Sequence, residues 1–199
     1  MTRRTRAEMM EETRRKLVAS ARAAFAEKGF ANTSMDDLTA AAGLTRGALY
    51  HNFGDKKGLF AAVVDQIDAE MAARARALAE AEATIWDALL AEGSAYIEMA
   101  LDPEVQRIVL RDGPAVLGDP AHWPSQNRCL DATRAAVAAL LAQGVLRTVD
   151  VEAASRLLNG AALNAAFWVA ACEDPSATLP KAQEAFRMLA EGLLAEHAP

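Results

Sequence analysis

Between Thr33 and Lys56 the chain gathers side chains suited to gripping a polyanion and reading flat polar edges. Thr33 and Ser34 offer hydroxyls at what reads as a helix start, where backbone N–H groups can hold phosphate oxygens. Thr45, Arg46 and Gly47 open a second such start. They supply a hydroxyl, a guanidinium that can pair with guanine in a major groove, and a position with no side chain to block approach. Tyr50 and His51 follow about one helical turn later, and Lys56 brings an ammonium to the start of another helix. The same residue types also occur on the solvated face of any helical protein, so the elements that position them decide the reading.

Those elements are helices. Alanine is abundant and β-branched runs are scarce, which predicts an all-α fold. Leu17, Ala21, Ala24 and Phe25 share one face of a first helix over 8–28, with Lys28 and Gly29 as stop signals. Thr33 or Ser34 caps a second helix, with Asp36 and Asp37 in its first turn, and that helix ends at Gly43. Thr45 caps a third, over 45–52. Helices are further predicted over 56–80, 84–101, 103–111, 114–117, 123–143, 151–172 and 176–196, separated by Pro- and Gly-containing turns such as Asp112-Gly113-Pro114.

Helix, glycine corner, helix is a helix-turn-helix pattern. Ala40, Ala41 and Ala42 provide small residues for a close crossing, and Gly43 can take positive φ. Leu44, Ala48 and Leu49 face inward, which leaves Thr45, Arg46, Gly47, Tyr50 and His51 outward. The same corner also occurs in helical cores that never meet DNA. Charge favours the DNA reading: up to Phe60 eleven basic residues face seven acidic ones, giving +4 and leaving −10 for the rest of a chain of net charge −6.

The segment from 15 to 67 resembles the DNA-binding domain of TetR-family transcriptional regulators. The resemblance rests on AFAEKGFANTSMDDLT and AAAGLTRGALYHNFGDKKGLF, with the patterns G-F-x-x-T-S, A-A-G-L-T-x-G-x-L-Y-x-x-F and D-K-x-x-L-F. Thr39 departs from it, since the family usually has alanine there; its hydroxyl must bond within its own helix or widen the crossing. The resemblance implies that Thr45, Arg46 and Gly47 lie at the front of a recognition helix. Tyr50 and His51 then touch backbone or base edges, Thr33 and Lys56 touch phosphates, and Phe53 is core. It also implies an N-terminal DNA-binding domain over 1–55, a helical effector-binding and dimerisation domain over 56–199, and a homodimer on a palindromic double-stranded operator. Release by a small apolar or amphipathic effector, with repression as the usual outcome, completes the implied behaviour.

For the dimer, the last two long helices are the candidates: Ala154, Leu158, Gly160, Ala161, Ala162, Ala165 and Val169, then Ala185, Phe186, Leu189, Leu193 and Leu194. The alternative is that both helices close the protomer's own core. For an effector pocket, the large apolar residues of the middle segment are Trp86, Tyr96, Met99, Ile108, Leu117, Trp123 and, later, Phe167, with Arg111, His122, Asn164 and Tyr96 as polar anchors. Simple core packing is the alternative for each. The stretch RIVLRDGPAVLGDP resembles one lying between helices of the ligand-binding domain in a subset of such regulators.

Other classes find little support. There is no G-x-S-x-G, HExxH, Walker loop or Cys/His metal spacing, and His51, His122 and His197 are far apart in sequence, so no enzyme, metal or cofactor is expected. A helical protein-interaction module would lack salt-sensitive DNA affinity. Cys129 and Cys172 read as free thiols in a reducing cytoplasm. The start reads as no secretory signal, and the stretch AALNAAFWVAAC is too short to span a bilayer, so no membrane association is expected.

Overall fold

A computed structural model describes residues 5–196; Arg3, Arg4 and His197 lie outside the described residues. The chain forms α1 (Arg6–Lys28), α2 (Met35–Ala42), α3 (Arg46–Phe53), α4 (Lys56–Ala79) and α5 (Ile85–Glu98). A π-helical segment (Val105–Asp112) then leads into α6 (Gly113–Leu117), followed by α7 (Pro124–Ala142), α8 (Val151–Ala171) and α9 (Pro175–Glu191). The fold is all-α. By packing it divides into two compact units, the first made of residues 5–67 with 107–118 and the second of 68–106 with 119–196.

The first unit starts earlier than its sequence periodicity predicts. Thr5 caps α1 by accepting from the Glu8 amide, and Glu8 returns the bond to the Thr5 amide. Leu17, Ala21 and Phe25 on α1 are fully buried together with Leu38, Leu49, Leu59, Phe60 and Val63. Phe60 sits edge-on to Phe25 and Phe30, with ring centroids 5.1 and 4.9 Å away. The first half of α4 therefore completes this core, and the packing divides inside α4, after Ile67, where the sequence suggested a boundary at 55/56.

The same unit takes back a distant stretch. Gly29 turns the chain out of α1 at φ 76°, and the next amide, that of Phe30, donates to the Asp112 carboxylate at 2.7 Å. Ile108 and Val109 are buried. The sequence predicts a plain helix over 103–111 and a break at Asp112-Gly113-Pro114. The chain instead widens to a π-helix and runs straight into α6, since Pro114 sits in a first turn, where its missing N–H costs nothing. RIVLRDGPAVLGDP, placed by resemblance in a ligand-binding domain, thus packs up to Gly118 with the first unit.

In the second unit α5 packs on α7, α8 and α9, and α8 lies along α9. Thr84, Asp150 and Asp174 cap α5, α8 and α9 through their side-chain oxygens. Glu152 on α8 binds Arg134 and Arg156, and these guanidiniums hold its carboxyl down to about 2. The final helix stops at Glu191 rather than 196, because Leu194 pairs antiparallel with Leu146 and the Arg147 amide donates to the Leu193 carbonyl at 2.9 Å. Among the described residues no helix is long and apolar enough to cross a membrane.

Candidate nucleic-acid interface and effector cavity

The corner between α2 and α3 has the geometry its sequence requires. Gly43 is left-handed, at φ 65° and ψ 33°. Its amide returns to Ala40 and the Leu44 amide to Thr39, which satisfies the last carbonyls of α2. Leu38, Thr39 and Leu49 are buried at the crossing. Ala40 and Ala41, expected there, are exposed, because the face of α2 set by Leu38 turns them outward. Thr39 donates its hydroxyl to the Met35 and Asp36 carbonyls at 3.0 and 3.2 Å, so it bonds within its own helix.

Around this corner Ser34, Thr45, Arg46, Gly47, Tyr50 and His51 are all exposed. Ser34 is the true cap of α2, accepting from the Asp37 amide at 3.1 Å while Asp37 reaches back to the Ser34 amide. Thr45 caps α3 by accepting from the Ala48 amide at 3.2 Å. Two expected phosphate contacts differ. Thr33 is 2% exposed and donates its hydroxyl to the Gly29 carbonyl at 2.7 Å, so its side chain fills the corner after α1 and is not presented outward. Lys56 is half-buried with its ammonium 4.2 Å from the Phe30 ring centre, and burial pushes its pKa down, whereas neighbouring Lys57 is exposed. Phe53 is half-buried, with the Arg14 guanidinium 4.6 Å over its ring.

Asp36 was legible only as a helix-start carboxylate. In the structure it takes Arg46 in a forked pair: Arg46 Nε lies 2.5 Å from Asp36 Oδ1, and the terminal Nη2 meets Oδ2. The guanidinium holds the Asp36 carboxyl below the usual range. One edge of the arginine fork is engaged, which fixes its direction at the front of α3.

Gly47 has open space around it: an added Cβ would meet only the Thr45 hydroxyl, at 3.8 Å. The fold therefore does not need glycine here. Gly47→Ala is expected to leave melting unchanged or raise stability by up to about 1 kcal/mol through helix propensity. It is expected to weaken specific duplex binding by about 1–3 kcal/mol, the scale of one lost base-pair contact. Thermal melts and salt-matched band shifts on one preparation check both halves.

The second unit holds a cavity, with about 560 Å³ of open space partly continuous with solvent. Its walls come from α4, α5, α7, α8 and α9. They are largely Ala72, Ala75, Leu89, Leu158, Ala162 and Phe186, with Glu92, Tyr96, Gln126, Cys129, Thr133 and Asn159 as the polar members. Gln126 donates to the Tyr96 phenol at 3.1 Å and to the Asp68 carboxylate at 3.3 Å, and Thr133 donates to Asn159 at 2.7 Å. Burial raises the pKa of Glu92 and Tyr96, and burial aided by nearby Asp68 and Glu92 pushes the Cys129 thiol up to about 11.

Of the residues expected to line a pocket, Tyr96 does. Ile108, Arg111 and Leu117 belong to the first unit, the first buried and Arg111 exposed. Met99 and Trp123 are buried as packing residues. Trp86 and Phe167 are half-buried outside the cavity wall, and Asn164 is exposed on α8. His122 stands in solvent with its Nδ1 3.7 Å from Asp119. The missed residues are mostly small or polar, types that do not mark a cavity in sequence. A Cβ on Gly93 would lie 2.4 Å from the Phe186 ring, so glycine makes the room in which that ring sits.

A glycine-cornered helix pair with an exposed recognition helix, in a chain that also has a helical unit holding a cavity, defines a helix-turn-helix DNA-binding regulator. Residues 17–63 match the model for bacterial regulatory proteins of the tetR family. Residues 86–193 match the tetracyclin repressor-like C-terminal domain. A TetR-family transcriptional regulator from Pectobacterium atrosepticum has 51% sequence identity and a TM-score of 0.85, over 97% of this chain and 99% of that one. The transposon Tn10 TetC protein of Escherichia coli is 28% identical over 158 residues, 77% of this chain and 78% of that protein. AibR in complex with isovaleryl coenzyme A and operator DNA has the same fold at 20% identity, with a TM-score of 0.61 over 92% of this chain and 98% of that one. The chain belongs to the TetR family of transcriptional regulators: it is a DNA-binding regulator, not an enzyme.

Proposed function

We propose that the chain acts in the cytoplasm as a homodimeric repressor that binds a palindromic operator and is released by a small apolar or amphipathic effector. The observation that carries this reading is the exposed front of α3. Thr45, Arg46, Gly47, Tyr50 and His51 project from a corner whose inner face is held by buried Leu38, Thr39 and Leu49. Ser34 stands nearby at the start of α2, where free amides suit a phosphate. Arg46 reads a guanine with the fork edge that Asp36 leaves open. Two recognition helices about 34–36 Å apart enter successive major grooves.

The dimer that sets this spacing forms on α8 and α9, on a stripe that keeps Leu189 from the residues the sequence suggested and leaves out those packed inside the protomer. Leu158, Ala162, Val169 and Phe186 are buried within the protomer. The opposite stripe is open: Leu157 is 74% exposed, Trp168 50%, Met188 61% and Leu189 68%. Four helices, two from each protomer, bury that stripe. The effector occupies the second unit's cavity; in AibR, isovaleryl coenzyme A and operator DNA are bound by a protein of this fold. It acts only if it binds the two spacings with different affinity; α4, which runs through both units, is the element that carries the change.

Selection of bound duplexes from a random pool at defined salt tests the reading: a palindromic consensus is expected. Arg46→Ala is expected to weaken that operator by about 1–3 kcal/mol and to relax preference at one base position in each half-site. Unchanged affinity and preference across operator variants removes Arg46 from the reading head.

A further inference from the structure

We propose that the cavity of the second unit selects an organic cation, a protonated or quaternary amine carried on an apolar body. The inference rests on the proposal that this cavity is the effector site. Its walls expose mostly apolar surface, and among the described residues none of those lining it is Lys, Arg or His. The one charged side chain in the lining is the Glu92 carboxylate on α5.

Three features turn this lining into a preference. Glu92 is only partly exposed and makes no hydrogen bond among the described residues, so its charge is held in a poorly solvated place. A ligand ammonium there restores the solvation that burial removes. Tyr96 and Phe186 also line the cavity, and the faces of aromatic rings attract cations. Just behind the wall, the Asp68 carboxylate is 1% exposed and receives the Gln126 amide, adding negative potential. After burial, its charge is a further factor opposing ionisation of Tyr96 and of Cys129. The positive groups near this region, Arg76 and Arg128, are both exposed, so water screens them.

The same features work against anions. A carboxylate or phosphate ligand would meet Glu92 with no cation in the lining to receive it, a desolvated like-charge pair. The field thus narrows the wide category of apolar or amphipathic effectors to those carrying a positive charge.

A matched trio of probes tests this: phenethylamine, phenethyl alcohol and hydrocinnamate share one aromatic body and differ in their polar end. Titration calorimetry and release of the selected operator are measured on the full chain at neutral pH. The amine is expected to bind about tenfold or more tightly than the alcohol, and hydrocinnamate weakest. In Glu92→Gln the amine and the alcohol are expected to bind within about threefold of each other. If Glu92→Gln does not fold, the wild-type ranking decides alone. Alcohol or hydrocinnamate binding as tightly as the amine overturns the cation preference while leaving the cavity as the effector site. No binding by any of the three at millimolar concentration overturns both.

Discussion

Gly58→Ala is expected to abolish operator binding and to melt the first unit early, while the second unit keeps its native fluorescence. A Cβ at this position would lie 2.0 Å from the Phe53 carbonyl oxygen and 3.1 Å from its carbon, so backbone and not a flexible side chain stands in the way. The corner between α3 and α4 has no slack to absorb it. Asp55 fixes it by accepting from the Gly58 amide at 2.7 Å, and the Leu59 amide returns to the Asp55 carbonyl at 3.1 Å. Gly54 holds the preceding turn at φ 78°. Directly after Gly58 come Leu59 and Phe60, both fully buried, and Phe60 stacks against Phe25 and Phe30. Moving the start of α4 therefore opens the aromatic core or tilts the recognition helix. The cost belongs with the severe core disruptions, about 3 kcal/mol or more. Trp86, Trp123 and Trp168 all lie in the second unit. Loss of helical signal at an unchanged tryptophan spectrum thus locates the damage, and wild-type operator affinity in this variant would show that the close approach is not real.

Leu157→Asp is expected to convert dimer to monomer and to cost operator affinity about a thousandfold, down to the sequence-independent level. Leu157 is 74% exposed in the protomer, so a carboxylate there meets water as long as no second chain covers it. In the proposed four-helix interface it would be buried beside apolar Trp168, Met188 and Leu189 without a partner, which is a large penalty on association. The next residue supplies the control. Leu158 is 7% exposed and lines the cavity, so Leu158→Asp is expected to unfold the second unit itself. Sedimentation and thermal melts of the two variants separate the outcomes: Leu157→Asp gives a folded monomer, Leu158→Asp gives neither. A Leu157→Asp protein that remains dimeric would place the interface elsewhere.

How far the sequence could be read differs by element, and the reasons are physical. The framework of the corner was legible because its constraints are local: a left-handed glycine, a cap and a period of apolar residues leave few alternatives. Thr33 misled because two adjacent hydroxyls both suit a cap, and only one can hold that position; Ser34 took it and Thr33 folded into the corner after Gly29. Asp36 was missed as a partner of Arg46 because ten residues and a turn separate them.

The cavity was read least well, for a general reason. A search for large apolar side chains finds the residues that fill space, such as Met99, Ile108 and Trp123. A cavity remains where residues are small, and Ala72, Ala75, Ala162 and Gly93 carry no mark of it in sequence. On α8, Ala154, Leu158 and Ala162 are suited to close helix approach, and they are buried within their own chain, the alternative the sequence left open. Leu157 and Trp168 are the large apolar residues that helix leaves open.

The carboxylate of Asp112 and the amide of Phe30 join positions 82 residues apart within one compact unit. The reading head is consequently not a detachable cassette. A fragment cut after Ile67 would carry every side chain proposed to face DNA yet lose the Asp112 partner of the Phe30 amide and buried Ile108 and Val109 of the same unit. Any transplant of this head onto another regulator's body has to bring its second stitch along.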